Sequence, residues 1–117
     1  MAVIETNITH EIQMAASKRG VVLLKNVRGL FLTLDGKRRV ASGLQAKGSS
    51  DLIGFRPVVI TPEMVGSTVA VFCAVEVKTP TGKVSPEQRH FIDVILKNGG
   101  FAGVSRSVDD AIRVLKI

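Results

Sequence analysis

The sequence predicts a mixed α/β fold, a sheet flanked by helices. Three observations predict it. Ile4, Ile8, Ile12 and Ala15 recur at helical spacing near the start of the chain. Val69 to Val77 is nearly continuous apolar sequence broken only by Glu76, the composition of a central strand covered on both faces. Capped helix starts then stand at Ser85 and Ser107.

The first helix is expected over Asn7 to Arg19, with Thr6 or Asn7 as its cap and Gly20 as its stop. Val21 to Val27 reads as a strand. Phe31 to Leu34 reads as another strand or an extended loop, Asp35-Gly36 as a turn, and Lys37-Arg38-Arg39-Val40 as the returning arm of a hairpin. Gly43 to Ser50, with two glycines and its serines, is a loop leading to a short strand at Asp51 to Phe55. Thr61-Pro62-Glu63 opens a single helical turn. Ser85-Pro86-Glu87-Gln88 has capping-box spacing and starts a helix that stops at Gly99-Gly100. Phe101 to Val104 is a short strand, and a last helix runs from the Ser107 cap through Leu115.

The 117 residues suit one domain, 1–117, and 45% hydrophobic content excludes a disordered tail. No apolar run reaches the roughly 18 residues of a membrane helix, and the N-terminus lacks the basic-then-apolar plan of a secretion signal. The single cysteine, Cys73, sits in an apolar run and is expected to be a buried small hydrophobe in a reducing cytoplasm. A net charge of +6 attracts polyanions, of which nucleic acid is the commonest. With no Trp or Tyr and only five Phe, reading of bases by aromatic stacking is not expected.

Polar groups sit at three places where the pattern asks for apolar ones, and Asp51 adds a fourth group. Glu11 lies within about 40° of Ile4 and Ala15 on a helical wheel, on the stripe that should face the core, where it is either a buried carboxylate that needs a partner or a metal or a residue at the stripe's edge that reaches solvent. Glu76 and Lys78 share a strand face with Phe72 and Ala74, where they form either an ion pair at a strand end or a reactive pair. Gln88 occupies the apolar face of its helix with Ile92 and Ile95, and capping duty alone also explains it. Asp51 follows Gly48-Ser49-Ser50, either as a turn aspartate or as a ligand.

Together the four fit phosphodiester hydrolysis, which needs an activated water and neutralisation of charge on phosphate oxygens. One or two Mg²⁺ ions supply both. Mg²⁺ takes hard oxygen ligands and keeps several waters, so Asp51, Glu76 and the Val77 carbonyl suffice. Lys78 then orients water or steadies negative charge. Glu11 holds an outer-sphere water or a second ion, and Gln88 holds Lys78 or a substrate phosphate.

These residues resemble the VRR-NUC family, a branch of the PD-(D/E)xK nuclease superfamily found in phages and in larger repair nucleases. The resemblance is carried by Glu11-Ile12-Gln13, Ser42-Gly43-Leu44, Gly48 to Gly54 with Asp51, Ala74-Val75-Glu76-Val77-Lys78-Thr79, Gly82-Lys83, Ser85 to Gln88, and Gly99 to Val104. Ser50 stands where many superfamily members carry proline, a position that is not a ligand. The resemblance implies a PD-(D/E)xK restriction-endonuclease-like mixed sheet flanked by helices. It implies Mg²⁺- or Mn²⁺-dependent cleavage of DNA, branched DNA of the Holliday-junction kind in compact members, and a homodimer. The location expected is the cytoplasm of a bacterium or a phage-infected host.

Lys37, Arg38, Arg39 and Lys83 are candidate phosphate contacts, or else ordinary solvated charges. His10 and His90 lack ligand spacing to each other or to Cys73, and neither Gly43 nor Gly48 begins a nucleotide-binding loop. Two other functions compete. One is a non-catalytic DNA-binding module keeping the nuclease fold. The other is a small structural or assembly protein whose polar groups are only caps and ion pairs.

Overall fold

Residues 5–27, 29–44 and 46–117 are described in a computed structural model. Ile4, expected on the helical stripe, and Gln45, expected in a loop, lie outside them. The chain divides into two compact units, Met1–Arg56 and Pro57–Ile117.

In the first unit α1 (Glu5–Lys18) precedes four strands, β1 (Val22–Lys25), β2 (Gly29–Leu32), β3 (Arg39–Ser42) and β4 (Leu52–Phe55). Thr6 and Asn7 lie inside α1, so neither is its cap. The helix stops at Gly20 as expected, where the Val21 N–H turns back to the Ala16 carbonyl. β1 pairs antiparallel with β4, in register Val22↔Phe55 to Lys25↔Leu52. β2 and β3 form the expected hairpin. Its turn is wider than the sequence suggested, because the Asp35 carboxylate accepts the Lys37 N–H and the Thr33 N–H donates to Arg38. Lys37 and Arg38 therefore sit in the turn, and the returning strand begins only at Arg39.

Glu11 does not face a core. It is exposed, and the Ile8 and Ile12 stripe beside it is itself 43% and 47% exposed. The contact of α1 with the strands runs through Gln13, half-buried, whose amide donates to the Leu23 carbonyl.

The second unit is a three-layer arrangement. A 3-10 turn (Pro62–Met64) leads to β5 (Cys73–Val77), α2 (Pro86–Lys97), β6 (Phe101–Ser105) and α3 (Val108–Leu115). β5 and β6 are parallel, in register Cys73↔Phe101 to Val77↔Ser105. The expected long strand from Val69 is thus cut to five residues. The reason lies in its partner: Gly99-Gly100 ends α2 immediately before β6, so the pairing begins with the Phe101 N–H donating to the Phe72 carbonyl and does not reach back to Val69. Val69, Val71 and Cys73 are consequently exposed, and the Cys73 thiol donates to the Val71 carbonyl instead of packing inside.

Ile92 and Ile95 of α2 and Ala102 of β6 are buried, at 3%, 1% and 8% exposure. α3 takes the other side of β6. A Cβ on Gly103 would stand 2.8 Å from Val114, so glycine is what lets helix and strand approach this closely. Ile95→Ala is expected to cost about 2–5 kcal/mol, read as a lowered urea midpoint with an unchanged denaturant slope.

Candidate active site

The site grows from the end of β5. Alternation puts Glu76 on the side of β5 that carries Ala74, facing α2. There Glu76, Ala74, Gln88, Phe91 and Ile92 line a mostly apolar pocket of about 330 Å³. Glu76 and Lys78 are both half-buried, with side-chain exposures of 32% and 20%, and Lys78 Nζ lies 3.6 Å from Glu76 Oε1. An ion pair this open contributes only ~0–1 kcal/mol. Stability alone therefore does not account for holding two charges against an apolar wall.

Gln88 reaches the same oxygen. Its Nε2 donates to Glu76 Oε1 at 3.0 Å, while its Oε1 accepts the Ser85 N–H at 2.9 Å. The Ser85 hydroxyl accepts the Gln88 N–H in return, completing a capping box. The capping reading of Gln88 holds, and the donor end of its amide goes to Glu76 rather than to the expected Lys78. A helix interior that wants apolar contacts and a carboxylate that wants a donor meet in one amide.

The contacts to the Glu76 carboxylate among the described residues all fall on Oε1. The Lys78 N–H donates to the Ser105 carbonyl. Backbone groups alternate in direction along a strand, so the Val77 carbonyl points to the opposite edge of β5. Glu76 Oε2 and this carbonyl are hard oxygens on consecutive residues, the donor type that Mg²⁺ takes with water completing its shell. Among the described residues no three His, Cys, Asp or Glu side chains gather into a larger ligand set.

Asp51 lies in the first unit, exposed, one residue before β4, and its carbonyl accepts the Asn26 N–H. Lys37, Arg38 and Arg39 are exposed on the hairpin of that unit, and Lys83 is exposed in the loop between β5 and α2.

Two residues escaped the sequence reading. Asn26 gathers the segment before Asp51 around its side chain. Arg106, just after β6, clasps the loop that follows Lys78. Its Nη1 donates to the carbonyls of Thr79 (2.6 Å) and Gly82 (2.7 Å), which occupy both of its N–H groups. Its own backbone N–H is held by the Asp110 carboxylate, which also pairs with Arg113.

The mixed α/β fold with an acid-x-lysine strand end and a glutamine helix is that of the PD-(D/E)xK nucleases. The VRR-NUC domain family matches residues 35–109, from the turn of the hairpin into α3, and the chain belongs to that family. Neither a curated protein nor a solved structure matches the chain. Membership implies a nuclease-type function in DNA processing. Among the described residues no helix is long and apolar enough to cross a membrane.

Arg106→Ala is expected to remove roughly 1–2 kcal/mol of local stability from the clasped loop. The readout is faster hydrogen exchange at the Gly82 amide, which donates to Thr79, with the α2 amides unchanged. The Asp110 carboxyl titrates below its ordinary value, mainly because it accepts the Arg106 N–H and then because it accepts from Arg113. Its folded-state pKa lies below the unfolded one, so its contribution is complete above the ordinary carboxylate range, near ~3.9, and lost as pH falls through the lower folded value. Amide protection at the start of α3 should follow that acid loss, and Asp110→Asn should abolish the dependence.

Proposed function

We propose that the protein is a metal-dependent endonuclease of branched DNA that works as a homodimer in the cytoplasm. The observation that carries the reading is Glu76, seated at the end of a strand, fixed through one oxygen by Gln88 and Lys78, within residues matched to a nuclease family. Of its competitors, the assembly protein accounts for the cap and the ion pair but not for the nuclease-family match, and the DNA-binding module accounts for the match but gives the half-buried charges no task.

The reaction is attack of water on a backbone phosphorus, with the P–O bond to one sugar breaking as the new P–O bond forms. A divalent ion, when bound, supplies an acidified water and offsets phosphate charge. Glu76 and the Val77 carbonyl lend it oxygens, and the motif order makes Asp51 the second carboxylate. Gln88 keeps the Glu76 carboxylate from rotating. Lys78 orients the attacking water or steadies the negative charge that develops on phosphate. Glu11 serves an outer-sphere water or a second ion. Lys37, Arg38, Arg39 and Lys83 contact phosphates and set position rather than sequence.

The family match crosses the boundary between the two units, which supports one nuclease domain over the chain. A net charge of +6 suits the crowded phosphates of a junction. Symmetric cutting of two strands needs two active sites, hence two copies.

The test is a cleavage panel of junctions, flaps, nicked and plain duplexes across divalent metals. Junction cutting in Mg²⁺ or Mn²⁺ is expected, and chelator should stop it. Gln88→Ala should lower activity about 10–100-fold, the usual effect of an outer-shell partner, and Glu76→Ala by more. Full activity of Glu76→Ala sinks the assignment. Salt-sensitive binding with no cut in any metal marks a non-catalytic module instead. Light scattering that finds only a 12.5 kDa species removes the dimer.

A further inference from the structure

In the first unit, the chain leading to Asp51 hangs on one side chain. Asn26 follows β1, and both N–H groups and the oxygen of its side-chain amide are engaged. Nδ2 donates to the Ser49 hydroxyl and to the Ser50 carbonyl, each at 2.9 Å, and Oδ1 accepts the Leu44 N–H at 2.7 Å. An asparagine side chain has two N–H donors and one carbonyl to give. The backbone N–H of the same residue donates to the Asp51 carbonyl at 2.9 Å.

None of these partners belongs to a strand. Leu44, Ser49, Ser50 and Asp51 all fall between β3 and β4, and the Asn26–Asp51 main-chain bond carries the β1–β4 register one step beyond the strand ends. The approach on the near side is close as well. Gly43 has φ +73°, and a Cβ there would stand 2.6 Å from the Val27 carbonyl oxygen and 2.7 Å from Asn26 Oδ1. Asn26 thus pins both ends of the 44–50 loop, and fixes two consecutive residues, 50 and 51, with its side chain and its main chain.

We propose that Asn26 is a positioning residue for Asp51, holding its backbone so that its carboxylate is ready for a divalent cation. The assignment rests on the reading of Asp51 as a metal ligand, and Asn26 itself lies outside the residues matched to the family. A loop already fixed needs no ordering when the ion binds, so the latch acts on affinity. Asn26 touches neither ion nor substrate. Its effect therefore passes through Asp51 and disappears when Asp51 can no longer act as a ligand.

The experiment titrates the full chain with Mn²⁺ alone and follows free Mn²⁺ by electron paramagnetic resonance. Asp51→Asn should weaken binding most. Asn26→Ala should weaken it about tenfold, within the range for outer-shell partners. Asn26→Asp keeps the shape and the acceptor but loses the Nδ2 donor, and should weaken binding as much. Ser49→Ala removes one bond only and should show a fraction of the effect, giving a readout should Asn26→Ala not fold. In an Asp51→Asn background, Asn26→Ala should change nothing further, the coupling expected of a residue that acts through another. Equal losses with and without Asp51, or no loss with Asn26→Asp and Ser49→Ala, overturn the positioning role alone. No loss on Asp51→Asn overturns the ligand reading beneath it.

Discussion

The side-chain amide of Gln88 is the constraint on which the second unit's site depends. One end of it closes the α2 cap at Ser85, and the other holds Glu76 on the neighbouring strand. The amide can do both only if α2 has one rotation about its axis. Ile92 and Ile95 set that rotation. They lie four and seven residues on, along the same face, and are the most deeply buried side chains of the helix. Each such burial contributes ~1.5–3 kcal/mol, more than the hydrogen bonds it aligns. Hydrophobic packing chooses the helix register, the register aims the amide, and the amide orients the carboxylate.

The same chain of causes explains why the plain and the functional readings of this residue do not exclude each other. A glutamine has a donor end and an acceptor end, and a capping box uses only the acceptor. The donor is left pointing at the strand that packs against the first turn. Any acid at that strand position gains a partner without disturbing the cap. Glu76 is such an acid, and Lys78, on the same face two residues on, adds a charge that balances it. The pair is too exposed to add much to stability.

Much of this was legible in the sequence because the signals are local. Ser85, Gln88, Ser107 and the glycines at 20 and 99 act within a few residues of themselves, and the helices begin and end where these residues direct. The polar residues Glu76 and Gln88 stood out against an apolar period, and they do meet. Glu11 and Cys73 were misjudged for one reason. Periodicity gives a direction on an element, whereas burial needs a partner in that direction. Around Glu11 the helix stripe is half-open, and at Cys73 the partner strand has only just begun. Asn26 and Arg106 left no pattern to see, since their partners stand 18 to 27 positions away in the chain.

Those two residues use one physical device at two places. Irregular segments cannot satisfy their backbone groups through a ladder or a helix, and left to water they stay mobile. A planar side chain with several fixed donors substitutes for the missing ladder, an asparagine amide before Asp51 and an arginine guanidinium after Lys78. Both segments flank candidate site residues, and both are loops that regular structure would have forced into other directions. Fixing them from the side keeps the backbone free to take the shape that the site requires. It also keeps the cost of ordering within folding, so that it is not charged again each time a ligand arrives.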